Sequence, residues 1–431
     1  MIEKVIEKKN MAKAIKQTTS NKGASGVDGM QVGEIKPYMQ AHGRRLYIDI
    51  INWKYKAQAI RGVEIPKGNG KTRLLGVPTV IERVLQQAVS QVISPYFESE
   101  FKDESYGFRP NRNALQAIQK SEEYINSGYK HIVDIDLKSF FDEVEHYILL
   151  ELIYKKVKCP ITLRLIRKWL RAPILIKGKL TKRRKGIPQG SPISPLLSNI
   201  MLHELDKYLE EQGHKFVRYA DDFSIYTKGT NRAKEIGNKV YLFLKRKLKL
   251  PINRAKSGVR RPSNFKVLGY GYTSRYEKGV KGKYQLVVSE KSWQKLKQNL
   301  KEITRKTKPY SFDERMRKLK EIQRGWINYF RMGNIVSKLQ SIDSWIRNRL
   351  RYCIWHDWKK PERKRKNLIR LGVKPHMAYA WSRSRKGGWA IAQSPILITT
   401  ITNTRLTKRG YESLEEYYHK VQAKFSEPPC T

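Results

Sequence analysis

Hydrophobic positions along the chain fall into two periods. Residues 1–18 set Ile2, Val5, Ile6, Met11 and Ile15 into a basic stretch, which predicts a helix. Residues 79–98 predict a second helix, with Val80, Val84, Leu85, Ala88, Val89, Val92 and Ile93 on one broad face. Between them, Val63-Glu64-Ile65-Pro66 and Leu74-Leu75-Gly76-Val77-Pro78 flank Lys67–Lys71 and predict a hairpin with a basic tip. Ile132–Leu137 reads as a short apolar strand ending in carboxylates. Ser194-Pro195 predicts a helix start, with Ser as N-cap and Pro at the first helical position. Phe216–Tyr219 and Phe223–Tyr226 predict two strands joined across Ala220-Asp221-Asp222. The mixture is α+β up to about residue 275. After about 285 the period is helical, over 312–330 and 339–358, with 361–366 as a charged linker.

Loops and composition narrow the class. Asn21–Gly29 holds three glycines in seven residues, which marks a loop with unusual backbone angles. A length of 431 residues allows two to four domains. The chain carries 88 Lys and Arg against 39 Asp and Glu, a formal charge of +49 that calls for a polyanion, usually nucleic acid. With 24 Tyr, 12 Phe and 9 Trp it is no disordered basic tail. From 291 to 370 there are 24 Lys and Arg against 7 Asp and Glu, so the late helices have one apolar and one strongly basic side. Cys159, Cys353 and Cys430 form no C-x-x-C pair, which points to a reducing compartment. Neither an apolar leader nor an 18-residue apolar run is visible, so the expected location is cytoplasmic, associated with RNA or the nucleoid, with no membrane partner and no required protein partner. A basic chromosomal packing protein remains the bland rival at this point.

Carboxylates at strand ends in so basic a chain suggest metal binding. Asp136 closes one strand, and Asp221 and Asp222 sit between two others. Mg²⁺ takes hard oxygen ligands and commonly uses one or two carboxylates plus substrate phosphates. Two such ions, roughly 4 Å apart, can activate a 3′-hydroxyl and stabilise a leaving pyrophosphate. Taken alone, an Asp-Asp pair is expected by chance about once in a chain this long. Asp134 faces the same side as Asp136 and reads as structural.

Five segments occur in a telling order. They are Asp136–Asp142 (DLKSFFD), Gly186–Pro195 (GIPQGSPISP), Tyr219–Asp222 (YADD), Asn253–Ser257 (NRAKS) and Phe265–Tyr270 (FKVLGY). The series resembles the palm motifs of reverse transcriptases. Asn21–Gly29, Ser105–Pro110 (SYGFRP), Arg324–Phe330 (RGWINYF), Arg349–Arg351, Trp355–Lys359 and Ser384–Trp389 extend the resemblance to the group II intron reverse transcriptases or maturases, over nearly the whole chain. Ser191 departs from the second glycine of many relatives.

The resemblance implies a right-hand polymerase of α+β class. Its fingers and palm would span 1–280, with an N-terminal extension over 1–30. A helical thumb would follow at 285–360, then a small basic nucleic-acid-binding domain at 361–425. Asp136, Asp221 and Asp222 would be catalytic, and Asp136, Leu137, Asp221 and Asp222 would hold two Mg²⁺ ions, with Mn²⁺ as a substitute. Lys67, Arg73, Phe141, Gln189 and Lys256 would contact the dNTP. Phe141 would exclude a 2′-hydroxyl, and Lys256 would act as a general acid toward pyrophosphate. Asn21, Lys22, Gly23, Arg109, Arg347, Arg349, Arg351, Arg383, Arg385 and Lys386 would contact nucleic acid. Implied partners are structured intron RNA, an RNA template with a DNA or RNA primer, target DNA and dNTPs. No His/Cys cluster follows Tyr417-Tyr418, so a zinc-stabilised nuclease domain is not expected. The rivals are a defence or retron-like reverse transcriptase and a catalytically idle maturase. A phosphate-dominated grip has a salt signature: log affinity for a template–primer duplex should fall linearly and steeply with log salt in filter binding, by about 0.7–0.9 per phosphate contact.

Overall fold

The structure, a computed structural model, describes residues 1–66, 70, 72–275 and 282–426. The expected N-terminal helix is two helices, α1 (Ile2–Ile6) and α2 (Lys8–Ser20), because Glu7 turns to an extended ψ of 135°. After α3 (Ile35–Ile51) comes the hairpin of β1 (Ile60–Pro66) and β2 (Thr72–Val77), paired down to Pro66 opposite Thr72. Lys67, at its tip, lies outside the described residues. α4 (Val80–Glu98) buries Val80, Val84, Leu85, Ala88, Val89 and Ile93, and the Thr79 hydroxyl caps it by accepting the Glu82 N–H.

Next come α5 (Ala114–Asn126), β3 (His131–Ile135), α6 (Phe140–Glu143), α7 (His146–Lys156), α8 (Pro160–Arg171), β4 (Ile174–Ile176) and β5 (Lys179–Thr181). β4 runs parallel to β1, giving one sheet of order β2-β1-β4-β5. α9 (Ser194–Glu211) starts at Ser194 itself. Ser194 therefore does not cap it; its hydroxyl donates instead to the Pro188 carbonyl at 2.6 Å and ties the helix to the preceding turn. β6 (Lys215–Tyr219), β7 (Asp222–Thr227), α10 (Thr230–Phe243) and β8 (Gly258–Arg260) complete a second, antiparallel sheet of order β6-β7-β3-β8. Its inner residues Val133, Ile135, Phe216, Phe223 and Ile225 share one core with apolar residues of α4, α9 and α10.

The described chain divides into two units, Met1–Arg261 and Pro262–Thr431, earlier than the 280–285 boundary that periodicity suggested. The reason is strand pairing. In the second unit β9 (Lys266–Val267), β10 (Tyr270–Ser274) and β11 (Tyr284–Val288) form one antiparallel sheet that a cut at 280 would split. Helices α11 (Glu290–Ile303), α12 (Phe312–Phe330) and α13 (Val336–Asp357) follow. Residues 361–366 are not a linker but the start of α14 (Pro361–Arg370), with Pro361 at the first turn. α15 (Pro375–Ser382), α16 (Gly388–Ala392), α17 (Pro395–Thr400), α18 (Asn403–Lys408) and α19 (Leu414–Ser426) end the fold.

The 361–425 segment belongs to the same compact unit as α12 and α13. Asp343 of α13, 1% exposed, accepts from the Tyr411 hydroxyl at 2.5 Å, the Ser413 hydroxyl at 2.7 Å and the Leu414 and Glu415 N–H groups at 2.9 and 3.1 Å. It thus caps α19 from another helix, satisfying donors that a helix start leaves open. Arg324 adds a two-pronged bond to Glu412. Among the described residues no helix is long and apolar enough to cross a membrane.

A buried carboxyl gives the first unit a pH signature. Glu82 is 4% exposed and accepts from the Tyr55 hydroxyl at 2.7 Å and the Gln58 N–H at 2.8 Å. Burial outweighs those bonds and pushes its pKa up to about 7. Because the folded pKa is raised, stability is highest when the group is protonated and falls as pH rises from about 4.5 through about 7. Glu82→Gln should remove that fall, so urea melts should show wild type losing about 3 kcal/mol relative to the variant over this range.

Candidate active site

Strands β6 and β7 meet in a two-residue turn, with Tyr219 paired to Asp222 and Ala220 at a φ of 58°. A left-handed alanine is uncommon, and a buried arginine braces it. Arg218 has no exposure. Its Nε and Nη2 bond both Asp206 oxygens of α9 at 2.7 and 2.6 Å, and its Nη1 bonds the Asn199 side chain and the Ala220 carbonyl, each at 3.0 Å. Gly107 lies against the same turn, where an added Cβ would stand 2.2 Å from the Ala220 nitrogen. Only glycine permits that approach. The Tyr106 N–H donates to the Arg218 carbonyl at 2.9 Å, and the Asn199 amide donates to the Gly107 carbonyl at 2.8 Å.

β3 pairs with β7 up to Ile135 opposite Phe223. One step further along the same antiparallel register sets Asp136 opposite Asp222. Asp136 is fixed from the 251–257 loop. Its N–H donates to the Ser257 hydroxyl at 3.0 Å, its carbonyl accepts the Asn253 N–H at 2.8 Å, and its Oδ2 accepts the Asn253 amide at 2.9 Å. Lys256 Nζ stands 3.6 Å from the same oxygen, on an exposed side chain. Leu137 is buried and bridges to Ile252. Asp134 pairs with Arg260 at 2.7 Å, in keeping with a structural role, and burial raises its pKa.

Asp222 opens to solvent on one side while protein packs around the rest. That burial, and then the charges of Asp221, Asp136 and Asp134, push its pKa up to about 6. Solvent at the open side screens part of the repulsion. Among the described residues no three His, Cys, Asp or Glu side chains are already gathered as a ligand cluster. Asp136 instead turns its carboxylate to Asn253 and Lys256. The donors still suit a hard divalent cation. They are carboxylate oxygens whose like charges crowd one another, and Mg²⁺ needs only one or two of them when phosphates supply the rest.

The Gly186–Ser191 turn packs on α6. Ile187 N–H donates to the Phe141 carbonyl at 2.6 Å, and Gly186 N–H to that of Val144 at 2.7 Å. Phe141 is half-buried, edge-on to Phe140 with ring centroids 5.3 Å apart. The Gln189 carbonyl accepts the Gly76 N–H at 2.7 Å, which joins the turn to β2. A cleft of about 290 Å³ lies there, lined by Gln189, Gly76, Asp142 and the basic run Lys182–Lys185. Arg73 is exposed on β2, opposite Ile65. Ser191 buries its hydroxyl with no hydrogen-bond partner among the described residues.

The expected nucleic-acid contacts separate into two kinds. Arg109 is turned inward, to Glu98 at 2.8 Å and to the Lys102, Ser105 and Phe101 carbonyls. Arg351 is 4% exposed and bonds Ile401, Asn348 and Asn403. Arg349 bonds Thr304 and the Lys301 carbonyl. Arg109 and Arg351 spend their donors on backbone and side-chain oxygens of the fold, and Arg349 spends its Nε and Nη2 there. Arg347 is half-buried, with its guanidinium 5.9 Å from the Tyr411 ring centroid. Asn21, Lys22, Arg385 and Lys386 are exposed, and Arg383 is exposed but paired to Glu362. Gly23 sits against Arg83, whose guanidinium also donates to the Ala24 carbonyl at 2.7 Å. Reading the sequence missed Arg218, Asp206, Asn199, Asn253 and Ser257 as positioning residues. A charge at Arg218 directly after the apolar pair Phe216-Val217 was the available signal, since a buried charge requires a partner.

Comparison with known proteins gives the family. Residues 65–272 match the family model described as reverse transcriptase (RNA-dependent DNA polymerase), and residues 293–372 match that of the group II intron maturase-specific domain. Protein YkfC of Escherichia coli K12 is 31% identical over 289 residues, which cover 58% of this chain and 76% of that protein. The group II intron-encoded protein LtrA of Lactococcus lactis subsp. cremoris is 36% identical over 207 residues, 46% of this chain and 33% of that protein. The chain belongs to the group II intron reverse transcriptase and maturase family, and its fold is the α+β right-hand polymerase fold. Its enzyme class is RNA-directed DNA polymerase.

The buried ion pair carries a testable cost. Asp206→Ala leaves Arg218 charged and buried without its carboxylate, so urea unfolding should show a loss of about 3–5 kcal/mol. Asp206→Leu with Arg218→Met should recover much of that stability, yet primer extension should stay low because Ala220 has lost its donor.

Proposed function

We propose that the protein copies RNA into DNA by nucleotidyl transfer at Asp136, Asp221 and Asp222 with two Mg²⁺ ions, Mn²⁺ serving as a substitute, and that it aids the splicing and mobility of its host group II intron. The observation that carries this reading is the pairing of β3 with β7 up to Ile135 opposite Phe223, after which the chain presents Asp136 on one strand end and Asp222 on the other, beside the Asp221 turn. Such ions supply charge stabilisation for the attacking 3′-hydroxyl and the departing pyrophosphate. Asp136, Asp221 and Asp222 hold them, together with Leu137 through its main chain. Asn253 and Ser257 keep the Asp136 backbone and carboxylate in place. Lys256, 3.6 Å from the Asp136 carboxylate on an exposed side chain, would serve as the general acid toward pyrophosphate.

Phe141 and Gln189 lie on the two segments that β2 and α6 bring together, where sugar and base of a dNTP would be judged. The half-buried Phe141 ring is stiffened by Phe140, which suits a steric test for a 2′-hydroxyl. Arg73, with Lys67, would meet the triphosphate, Arg by bidentate bonds and Lys as a point charge. The maturase-domain match and the exposed Lys22, Arg385 and Lys386 support contact with structured intron RNA, template–primer and target DNA. Shape and phosphate contacts suffice for that second task. A cytoplasmic location is part of the same proposal.

Two assays on one preparation test the pair of functions. Asp221→Asn with Asp222→Asn should abolish primer extension while the protein still binds the intron and promotes splicing at low Mg²⁺. Substantial extension by this variant would remove the metal assignment. Loss of splicing in a folded, RNA-bound variant would show the two tasks to be inseparable.

A further inference from the structure

A second cleft, of about 930 Å³, opens on the first unit and shares no residue with the carboxylate site. Its walls are the connection after α3, α7 and α8. On α8, Arg164, Arg167, Lys168 and Arg171 recur at three- and four-residue spacing and form one stripe toward the cleft, while Leu165, Ile166, Trp169 and Leu170 are buried. Lys56 adds a fifth cation, against one lining carboxylate, Glu151. Among the described residues no ion pair engages Arg164, Arg167 or Arg171. Like charges held this close without partners favour an anionic occupant.

The cleft also presents aromatic rings. Trp53 is 45% exposed although its backbone has a φ of 67°, an outlier for so bulky a residue. The turn that holds it is closed by Trp53 N–H to Ile50 at 3.2 Å and by Lys54 and Tyr55 N–H to the Asp49 carbonyl. The Arg164 guanidinium lies 4.5 Å from the Trp53 ring centroid, and Lys168 donates to the Tyr55 carbonyl beneath. Tyr154, 53% exposed, stands on the cleft wall. Backbone strain kept by such bracing is a mark of a used position.

We propose that this cleft binds an unpaired stretch of polynucleotide, with bases stacked on Trp53 and Tyr154 and phosphates on Arg164, Arg167 and Arg171. The proposal rests on the reading above that nucleic acid is the partner. A ring can stack only on a base freed from its neighbours, and paired aromatics beside a basic track suit single strands better than duplexes. The volume lies in the range of preformed ligand pockets.

The test uses the full chain with its polymerase cleft occupied by unlabelled annealed template–primer. The probes are a labelled oligouridylate carrying one 5-iodouridine and the matching iodinated oligodeoxynucleotide. Irradiation followed by peptide mapping should place cross-links on Trp53 or Tyr154. Trp53→Asn, which tolerates the left-handed turn, should weaken binding about fivefold or more. Arg164→Gln, Arg167→Gln and Arg171→Gln together should lessen the slope of log affinity against log salt by about two. Primer extension on the annealed substrate should be unchanged in every variant. The stronger-binding probe identifies the strand as RNA or DNA, and either supports the site. Cross-links confined to other segments, with variants binding as wild type does, would overturn it. So would protection of the Trp53 peptide by polyglutamate in preference to the oligonucleotides, which would mark an acidic protein partner. Wild-type extension on the same preparation reports on the polymerase reading independently.

Discussion

One guanidinium sets the shape of the candidate site. Arg218 has left water altogether, and a buried charge is tolerated only if every donor finds an oxygen. Its bonds to Asp206, Asn199 and Ala220 therefore fix the β6–β7 turn relative to α9. A hydrophobic pair of the same volume could stabilise the core as well, but it would not aim at the Ala220 carbonyl. The ion pair supplies direction, and Asp221 and Asp222 inherit it. Gly107 then fits where any other residue would collide, so the SYGFRP segment, α9 and the YADD turn are set by one arrangement.

Much of this was legible beforehand, and for identifiable reasons. Strands at 132–135, 215–219 and 222–227 follow from short apolar runs bounded by polar turns, and α4 and α12 from unbroken helical spacing. The candidate carboxylates stood out because acids at strand ends are conspicuous in a chain of +49. Bonds between residues far apart in sequence were not legible. Nothing local in Asn253 or Ser257 announces that each holds a residue over 100 positions earlier. The break at Glu7 escaped notice because apolar spacing continues across it while the backbone does not.

Arginine shows where composition and resemblance run out. A net charge counts Arg351 and Arg315 equally with Arg385, yet the first two are spent inside the protein. Arg315 is 2% exposed and serves the Ile303 carbonyl that the end of α11 leaves open, and those of Arg305 and Lys308 beyond it. The same five donors that suit a phosphate suit such carbonyls equally. Sequence identifies the residue type, and only packing decides which oxygen it meets. On α8 the exposed Arg164, Arg167 and Arg171 lie off the buried face of Leu165, Ile166, Trp169 and Leu170, so their heads remain open to solvent.

The Asp343 cap bears on how such proteins can be cut, fused and rebuilt. A domain joined by a flexible strand can be exchanged between genes without cost to its neighbour. Here α19 is not an appendage of that sort, because the acid that receives its first N–H groups sits in the middle of α13. Removing the last helix would strand a carboxylate in an apolar interior. Swaps at this end would therefore have to carry α13 and α19 as one cassette, or replace Asp343 in the same step. The unit of modular exchange is set by a hydrogen bond that spans 71 positions and not by the short turn before α14.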